Sequence, residues 1–246
     1  MNVRDRMAVP RRGGMSGWLR PHAEDLPFEA DGTGNGLMVG VLALQGAFAE
    51  HGMALRRLGA QVTEVRGPKH LNDCDALVMP GGESTTMSKL LATSGLYDAL
   101  VEALAGGFPV FGTCAGMILL AGEIEGGRPD QRSFSAIDIA VRRNGYGRQV
   151  DSFEADLDVS GLDPGGPFRA VFIRAPKIER FGASVNVLAK HDGVPVLVQQ
   201  NNVFASSFHP EMTADLRIHR LFLRQVLRSR SQPTQLIPSY STQIRR

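Results

Sequence analysis

One cysteine stands where a nucleophile is expected, at the junction between a strand pattern and a helix pattern. The sequence GTCAG (112–116) follows a short apolar run and precedes a helical stretch over 115–121. In such a strand-to-helix elbow the backbone of the nucleophile is strained, so residues two positions away on each side must be small. The helix N-terminus supplies oriented N–H groups that stabilise a thiolate and a developing oxyanion. The pattern predicts that Cys114 is a nucleophile, with a buried core cysteine as the alternative.

A base for this nucleophile is available after another predicted strand. The sequence SSFHPE (206–211) places a histidine and a glutamate two positions apart. His209 can accept the thiol proton, while Glu211 can orient the imidazole and stabilise its charged form. His-Pro-Glu alone is a common loop tripeptide. Together with the cysteine elbow it predicts a triad of Cys114, His209 and Glu211.

A glycine-rich loop is the third candidate element. The sequence PGGEST (80–85) ends a predicted strand. Its glycines permit close backbone approach, so an N–H of Gly81 or Gly82 could complete an oxyanion hole with that of Ala115. A simple turn capped by Ser84 is compatible with this role. Phosphate-binding loops are excluded, because the lysine of GxxxxGK[ST] is missing and no GxGxxG follows a strand.

Strand and helix patterns alternate through the first half of the chain. Short apolar runs predict strands at 38–44, 61–65, 75–79 and 108–113, and helical spacing predicts helices near 48–58, 84–92, 96–105 and 115–121. This alternation predicts a parallel sheet with helices on both faces. Period-two alternation then predicts antiparallel strands at 137–141 and 153–157, with further strands at 169–173, 185–189, 194–199 and 203–208 and a last helix at 214–227. The predicted fold is α/β, a mostly parallel sheet with antiparallel strands added in the second half.

Composition and charge narrow the function classes. The 246 residues are 43% hydrophobic and 21% charged, which is typical of a globular protein and not of a disordered chain, a collagen or a coiled coil. We expect a domain at 37–227 between a flexible leader (1–36) and a flexible basic tail (228–246). The net charge of +2 comes from the tail, whose four arginines face no acid, because the leader is neutral and the domain is left at −2. A nucleic-acid surface is therefore not expected.

The remaining titratable residues are given structural interpretations. Two cysteines are too few for a disulfide framework, and Cys74 is read as structural. Neither a membrane span nor a secretory signal is recognised, so a cytoplasmic protein is expected. No metal site is expected, since the histidines lack ligand partners at suitable spacing. His22 lies in the leader, and surface or packing roles are assigned to His51, His70, His191 and His219.

Five motifs in order resemble the glutaminase subunits of pyridoxal 5'-phosphate synthases, a branch of the class I (triad) glutamine amidotransferases. They cover residues 38–227 and are LALQG (42–46), PGGESTT (80–86), RN with GRQ (143–144 and 147–149), FIRAP (172–176) and SFHPE (207–211). The resemblance implies a class I glutamine amidotransferase-like, flavodoxin-like fold. It also implies that Cys114 is the nucleophile, His209 the acid and base, and Glu211 its orienting group.

The resemblance further implies which residues contact glutamine. These are Gly82, Glu83, Ser84, Arg143, Ile173 and Arg174, and Gln45 is expected near the site and the partner interface. An arginine suits the α-carboxylate and a carboxylate such as Glu83 suits the α-ammonium, but which residue meets which end stays open.

The expected reaction is hydrolysis of L-glutamine to glutamate and ammonia through a γ-glutamyl thioester. By resemblance, ammonia passes to a (β/α)-barrel pyridoxal 5'-phosphate synthase subunit in a large hetero-oligomer, and this chain needs no cofactor. Two alternatives remain. One is the glutaminase subunit of another amidotransferase, such as imidazole glycerol phosphate synthase, and the other is a non-catalytic interaction subunit of the same fold.

Overall fold

The structure, a computed structural model, describes residues 32–145 and 152–231. Its helices are α1 (Phe48–Arg57), α2 (Ser84–Thr93), α3 (Leu96–Ala105), α4 (Ala115–Leu120) and α5 (Arg217–Ser231). Its strands are β1 (Met38–Leu42), β2 (Gln61–Val65), β3 (Ala76–Met79), β4 (Val110–Thr113), β5 (Ala121–Glu125), β6 (Ile137–Arg142), β7 (Ser152–Leu157), β8 (Phe168–Ile173), β9 (Lys177–Phe181), β10 (Asn186–His191), β11 (Val194–Gln200) and β12 (Val203–Ser206).

Seven strands form the central sheet, in the order β10-β11-β12-β4-β3-β1-β2. The five strands from β12 to β2 are parallel, while β10 and β11 add an antiparallel edge. The parallel part follows the flavodoxin-like order, in which sites form at the carboxyl ends of the strands. Both predictions, the parallel sheet and its antiparallel extension, are confirmed.

Each face of the sheet covers a separate core, because side chains alternate along a strand. In β3, Ala76 and Val78 pack with apolar residues of α1 and α5, whereas Leu77 and Met79 pack with those of α2, α3 and α4. Every residue of β3 and β4 is buried. Burial on both faces explains why these strands read as continuous apolar runs rather than as alternating ones.

Two small sheets complete the fold. β7 and β8 form an antiparallel pair, and β5, β6 and β9 form a three-stranded sheet in which β5 and β6 are parallel. β5 and β9 were not predicted. β5 begins at Ala121, directly after α4, where the predicted helix at 115–121 ends, and its sequence AGEIE contains no apolar run that would indicate a strand. Charged residues dominate β9, which exposes three of its five residues and therefore lacks a strong strand pattern.

The folded unit extends beyond the predicted limits of 37 and 227. At the N-terminal side, the N–H of buried Gly34 donates to the carbonyl of Leu58 at 2.7 Å. At the other side, α5 continues through Ser231, and Arg230 contacts the Gly36 carbonyl at 3.2 Å and the Asp75 carboxylate at 3.3 Å. Positions 32–36 and 228–231 are therefore part of the fold. The rest of the predicted leader and tail lies outside the described residues.

Candidate active site

The cysteine elbow joins β4 to α4 at the carboxyl edge of the sheet. β4 ends at Thr113, α4 begins at Ala115, and Cys114 between them has φ +50° and ψ −103°. A positive φ is costly for a residue with a Cβ, and strain of this kind is concentrated at functional sites. The flanking glycines are required by contact. A Cβ on Gly112 would lie 2.6 Å from the carbonyl carbon of Gly116, and one on Gly116 would lie 2.1 Å from the carbonyl oxygen of Met79.

The histidine and the glutamate follow β12, which lies beside β4 in the sheet. The parallel pairing brings the ends of the two strands together, and the N–H of Cys114 donates to the Ser206 carbonyl at 2.8 Å. His209 Nδ1 lies 2.7 Å from Oε1 of Glu211, whose side chain is inaccessible to solvent. His209 itself is 8% exposed. The sheet thus assembles two chain segments about 95 residues apart into one cluster.

Electrostatics favour the charged form of His209. Burial alone lowers its pKa, but hydrogen bonds with Cys114 and Glu211, together with the charges of both groups, raise the pKa of His209 from 6.5 to about 10. The imidazole is therefore protonated at neutral pH, and it faces the sulfur on one side and a carboxylate on the other. A cationic imidazole beside the sulfur is the arrangement that activates a thiol as a nucleophile.

The glycine loop after β3 touches the triad. A Cβ on Gly81 would lie 2.4 Å from Cε1 of His209 and 3.4 Å from Cβ of Cys114, so the backbone passes directly beside both side chains. Ala115 is the first residue of α4, where an N–H has no partner within the helix. The backbone of Gly81 and the N-terminus of α4 therefore lie next to Cys114. Backbone N–H donors are suited to an oxyanion.

Substitution of Gly81 by alanine is expected to reduce kcat by about tenfold or more, because a side chain 2.4 Å from His209 must displace the imidazole. The matched control is Gly67→Ala, where an added Cβ meets nothing within 4 Å and the φ of −166° is extended. Steady-state glutamate release from glutamine measures both variants. Equal activity of the two alanine variants would show that the glycine loop does not constrain the site.

Glu83 has a fixed structural role. It is the N-cap of α2, and its carboxylate accepts hydrogen bonds from the N–H groups of Thr85 at 3.0 Å and Thr86 at 2.7 Å. The alternative N-cap, Ser84, is the first residue of the helix instead. Burial opposes ionisation, but the hydrogen bonds from Thr85 and Thr86 lower the pKa of Glu83 to about 2. Glu83 is therefore an anion held in one orientation beside the glycine loop.

Arg143 lies opposite Glu83. Its Nη2 donates to Oε1 of Glu83 at 3.0 Å, and its Nη1 donates to Oε1 of Gln131 at 3.2 Å. Gln131 in turn donates from Nε2 to Oγ of Ser84 at 3.0 Å. Gln131 was missed, since the loop at 128–135 has no motif and its partners are far away in sequence. These four side chains form a polar network that joins the loop to α2.

The other sequence candidates lie around the same cluster. Gln45 Oε1 accepts a hydrogen bond from the N–H of Glu83 at 2.9 Å and lies 2.8 Å from where a Cβ on Gly82 would be. The carbonyl of Ile173 lies 3.9 Å from Sγ of Cys114, and the next residue, Arg174, has φ +45°. The candidate site residues within the described part of the chain thus lie in this region, through their own contacts or those of a chain neighbour. Gly147, Arg148 and Gln149 of the third motif lie outside the described residues.

Two of the histidines that were given surface or packing roles lie in the interior, beside the triad. His51 and His219 are completely buried, and their rings are joined by a 2.9 Å contact between Nδ1 of His51 and Nε2 of His219. His51 also approaches Glu211 at 3.2 Å. These contacts were not predicted from the sequence, because Glu211 and His219 both lie more than 150 positions from His51. His51 does occupy the inner face of α1, at helical spacing from Leu55, and this was the available signal.

The remaining predictions concern the second cysteine, metals and membranes. Cys74 is half-buried, its thiol donates to the carbonyl of His70, and burial with nearby Asp73 and Asp75 raises the pKa of Cys74 to about 11. This chemistry is that of an unreactive thiol.

Within 32–145 and 152–231, no group of three or more His, Cys, Asp or Glu side chains is arranged to hold a metal ion. No helix in the described part of the chain combines the length and apolarity needed to span a bilayer. His22 lies outside the described residues.

Comparison with known proteins agrees with this architecture. A family model described as the SNO glutamine amidotransferase family matches residues 41–228. A protein named pyridoxal 5'-phosphate synthase subunit PdxT, from Mycobacteroides abscessus, is 56% identical over 189 residues, which are 77% of this chain and 97% of that protein. A namesake from Thermosipho africanus is 50% identical over 190 residues, 77% of this chain and 99% of that protein.

Solved structures give the same result. A crystal structure described as a glutamine amidotransferase is 52% identical, with a TM-score of 0.72, and the match covers 76% of this chain and 98% of that one. A PurLQS structure from Thermotoga maritima shares the fold alone, at 16% identity and a TM-score of 0.58 over 78% of this chain and 98% of that one. The region matched by the family model includes both the elbow at Cys114 and the segment at His209. This chain belongs to the SNO glutamine amidotransferase family.

Proposed function

We propose that this chain hydrolyses L-glutamine to L-glutamate and ammonia, and that it supplies the ammonia to a separate synthase subunit that makes pyridoxal 5'-phosphate. The observation that carries the proposal is the cluster of Cys114, His209 and Glu211 beside the glycine loop, in which a buried carboxylate and the sulfur together raise the pKa of His209 to about 10. The names of the relatives at 50% and 56% identity support the choice of synthase.

The reaction begins with attack on the side-chain amide of glutamine. The Cys114 thiolate forms a bond to the amide carbon, and the carbonyl oxygen becomes an oxyanion. We assign its stabilisation to the N–H groups of Gly81, Gly82 and Ala115. His209 then donates its proton to the amide nitrogen. The C–N bond breaks, ammonia leaves, and a γ-glutamyl thioester remains on Cys114.

Water completes the cycle. Neutral His209 accepts a proton from a water molecule, whose oxygen attacks the thioester carbon. The C–S bond breaks, glutamate is released, and the thiolate and imidazolium are restored. Glu211 keeps Nδ1 of His209 protonated throughout, because its Oε1 accepts that hydrogen bond at 2.7 Å.

Recognition of glutamine is assigned to the network beside the triad. Glu83 is anionic and Arg143 is cationic, so the pair complements the α-ammonium and α-carboxylate of an amino acid. Their hydrogen bond at 3.0 Å would be exchanged for contacts with the substrate. The other residues proposed to contact glutamine are Gly82, Ser84, Ile173 and Arg174. Gln45 stabilises the glycine loop by accepting a hydrogen bond from the N–H of Glu83.

Replacement of Arg143 by glutamine is expected to raise KM for glutamine about tenfold to a hundredfold, since a charge-assisted hydrogen bond contributes about 1.5–3 kcal/mol. The control is the neighbouring Arg142→Gln. Arg142 pairs instead with Glu125 and Glu179, both at 3.1 Å, and its variant should keep the KM of the unaltered protein. Initial rates over a range of glutamine concentrations give both values. A KM that is equal in the two variants would remove Arg143 from the binding site.

The partner is proposed to be a (β/α)-barrel synthase subunit in a hetero-oligomer, and both are proposed to be cytoplasmic. The test is glutamine hydrolysis by the full chain alone and after mixing with a pyridoxal 5'-phosphate synthase subunit. We expect glutamate release that increases with this subunit, and pyridoxal 5'-phosphate formation that then depends on glutamine. Stimulation only by another amidotransferase synthase would reassign the partner. Absence of glutamate release in every mixture would reject the glutaminase and favour a non-catalytic subunit.

A further inference from the structure

Behind the triad lie two histidines that the proposed reaction does not use. His51 comes from α1 and His219 from α5, and both helices cover the same face of the central sheet. Neither residue has any exposed surface. Buried polar side chains are costly unless they are paired, so their contacts identify what they do.

His51 contacts the side of Glu211 that faces away from His209. Oε1 of Glu211 accepts the hydrogen bond from His209, whereas Oε2 lies 3.2 Å from Nε2 of His51. The same nitrogen lies 3.2 Å from Oγ1 of Thr113, the residue before the nucleophile. In the described part of the chain, Oε2 makes no hydrogen bond of regular geometry, and its contact with Nε2 of His51 is a close polar contact of 3.2 Å. The buried carboxylate is thus held between two imidazoles.

The charge balance at Glu211 depends on His51. Burial raises the pKa of a carboxyl group, but the pKa of Glu211 is lowered well below its ordinary value, first by His51 and then by His209. The groups that face His51 are Glu211 from the turn at Pro210–Met212, His219 from α5 and the uncharged Thr113 from β4. His51 is therefore the group that stabilises the ionised carboxylate from its far side, through the N–H at Nε2.

The tautomers of the two histidines follow from their neighbours. Nε2 of His51 faces a carboxylate oxygen, so it carries a proton. Burial, and then the neighbouring His51, lower the pKa of His219 to about 3, so His219 is neutral. Nδ1 of His219 has no hydrogen-bond partner among the described residues, so the proton of His219 is assigned to Nε2. This N–H donates to Nδ1 of His51 at 2.9 Å. This donation directs the proton of His51 toward Glu211.

We propose that His51 is a positioning residue of the triad, which holds the Glu211 carboxylate against His209 from behind, and that His219 sets the tautomer in which His51 does so. The line of contacts runs from Cys114 through His209, Glu211 and His51 to His219. Without His51, the carboxylate would lose its inner partner, rotate or take up a proton, and release its hold on His209. The inference deepens the proposed glutaminase mechanism and rests on it.

The test compares His51→Leu with His51→Gln in the full chain. The glutamine amide can place an N–H near the position of Nε2, whereas leucine cannot. For His51→Leu we expect kcat about tenfold to a hundredfold lower with KM within about twofold, because transition-state organisation is lost rather than substrate binding. His51→Gln should recover a substantial part of kcat. His70→Leu, at an exposed histidine, should behave like the unaltered protein.

A second readout is independent of glutamine hydrolysis. Alkylation of Cys114 by iodoacetamide, followed against pH, reports the imidazolium that stabilises the thiolate. In His51→Leu the reactivity plateau should give way to a rise with pH, and His51→Gln should retain the plateau. If His51→Leu does not fold, His219→Phe supplies the same comparison with a smaller change. An unchanged alkylation profile and kcat in His51→Leu would overturn the inference, as would equal losses in the leucine and glutamine variants with the profile unaltered.

The two readouts separate this inference from the proposed function. If the unaltered protein alkylates with a plateau but releases no glutamate, the glutaminase proposal fails while the effect of His51 is still measured. If glutamate is released normally and the His51 variants match the unaltered protein, the positioning role fails and the glutaminase proposal stands.

Discussion

Alanine at position 114 should abolish glutamate release, with kcat reduced by about 10⁴-fold or more, because the thioester cannot form without the sulfur. The fold should persist. Alanine keeps the Cβ that already occupies the strained backbone at φ +50°, and Gly112 and Gly116 are unaffected. Glutamate release and the melting temperature are measured on the same preparation.

The chain supplies a matched control for this experiment. Cys74→Ala removes the other thiol, which is half-buried and donates to the carbonyl of His70. This variant should retain the activity of the unaltered protein. Normal turnover in Cys114→Ala, or a comparable loss in Cys74→Ala, would contradict the assignment of the nucleophile.

Replacement of His209 by glutamine should lower kcat by about 10²- to 10⁴-fold, the usual contribution of a general acid and base. It should also change the pH dependence of Cys114 alkylation. Because Cys114 and Glu211 raise the pKa of His209 to about 10, the imidazolium persists through neutral pH and is lost only as pH rises toward that value. The alkylation rate of the unaltered protein should therefore vary little between about pH 7 and 9.

In His209→Gln the alkylation rate should instead climb with pH, as for a thiol with no cationic neighbour, whose pKa is about 8.5. His191→Gln is the control, since His191 lies on the edge strand β10 beside Asp192. A flat profile in His209→Gln, equal to that of the control, would mean that His209 does not stabilise the thiolate.

The same linkage makes the fold sensitive to alkali. A group whose pKa is raised on folding stabilises the native state fully below its unfolded pKa of 6.5, and the contribution is lost as pH rises through about 10. His219 acts in the opposite pH range. Folding lowers the pKa of His219 from 6.5 to about 3, because the buried ring is neutral. Its contribution to stability is fully present above pH 6.5 and is lost as pH falls toward 3. The protein should thus be most stable between these ranges.

The cysteine elbow was predictable because its sequence pattern is local. Strand, cysteine and helix follow one another within eleven residues, and Gly112 is required by its contact with Gly116 in the next turn. The contact that requires Gly116 is with the Met79 carbonyl of β3, which is distant in sequence. The position of His209 was predictable by a different route. It follows a buried strand, and parallel strands bring their carboxyl ends to one edge of the sheet.

The contacts of His51 and His219 beside the triad were not predictable from a local pattern. His51 and His219 are 168 positions apart, and the contact between them depends on how α1 and α5 pack on one face of the sheet. An isolated histidine on an apolar helix face has no local signature of a role. The Gln131 contacts are similar, since they join a loop without a motif to Ser84 and Arg143. Long-range side-chain pairing emerges only from the assembled fold.

The length of α5 shows the limit of a boundary prediction. The apolar face ends near Val226, so the pattern predicted a helix end at 227. The helix continues to Ser231, where polar contacts replace apolar ones. Ser229 donates to the carbonyl of Val226, and Arg230 reaches Asp75. Hydrophobic periodicity does not report a helical turn that is held by such contacts.

The central claim is that glutamine is cleaved through a covalent bond to Cys114. The most direct test is to mix the full chain and its synthase subunit with isotopically labelled glutamine, quench in acid, and map the label by peptide mass spectrometry. We expect a γ-glutamyl group on the peptide that contains Cys114, and none in Cys114→Ala. Glutamate release at an undiminished rate from Cys114→Ala, or label on another residue, would contradict it.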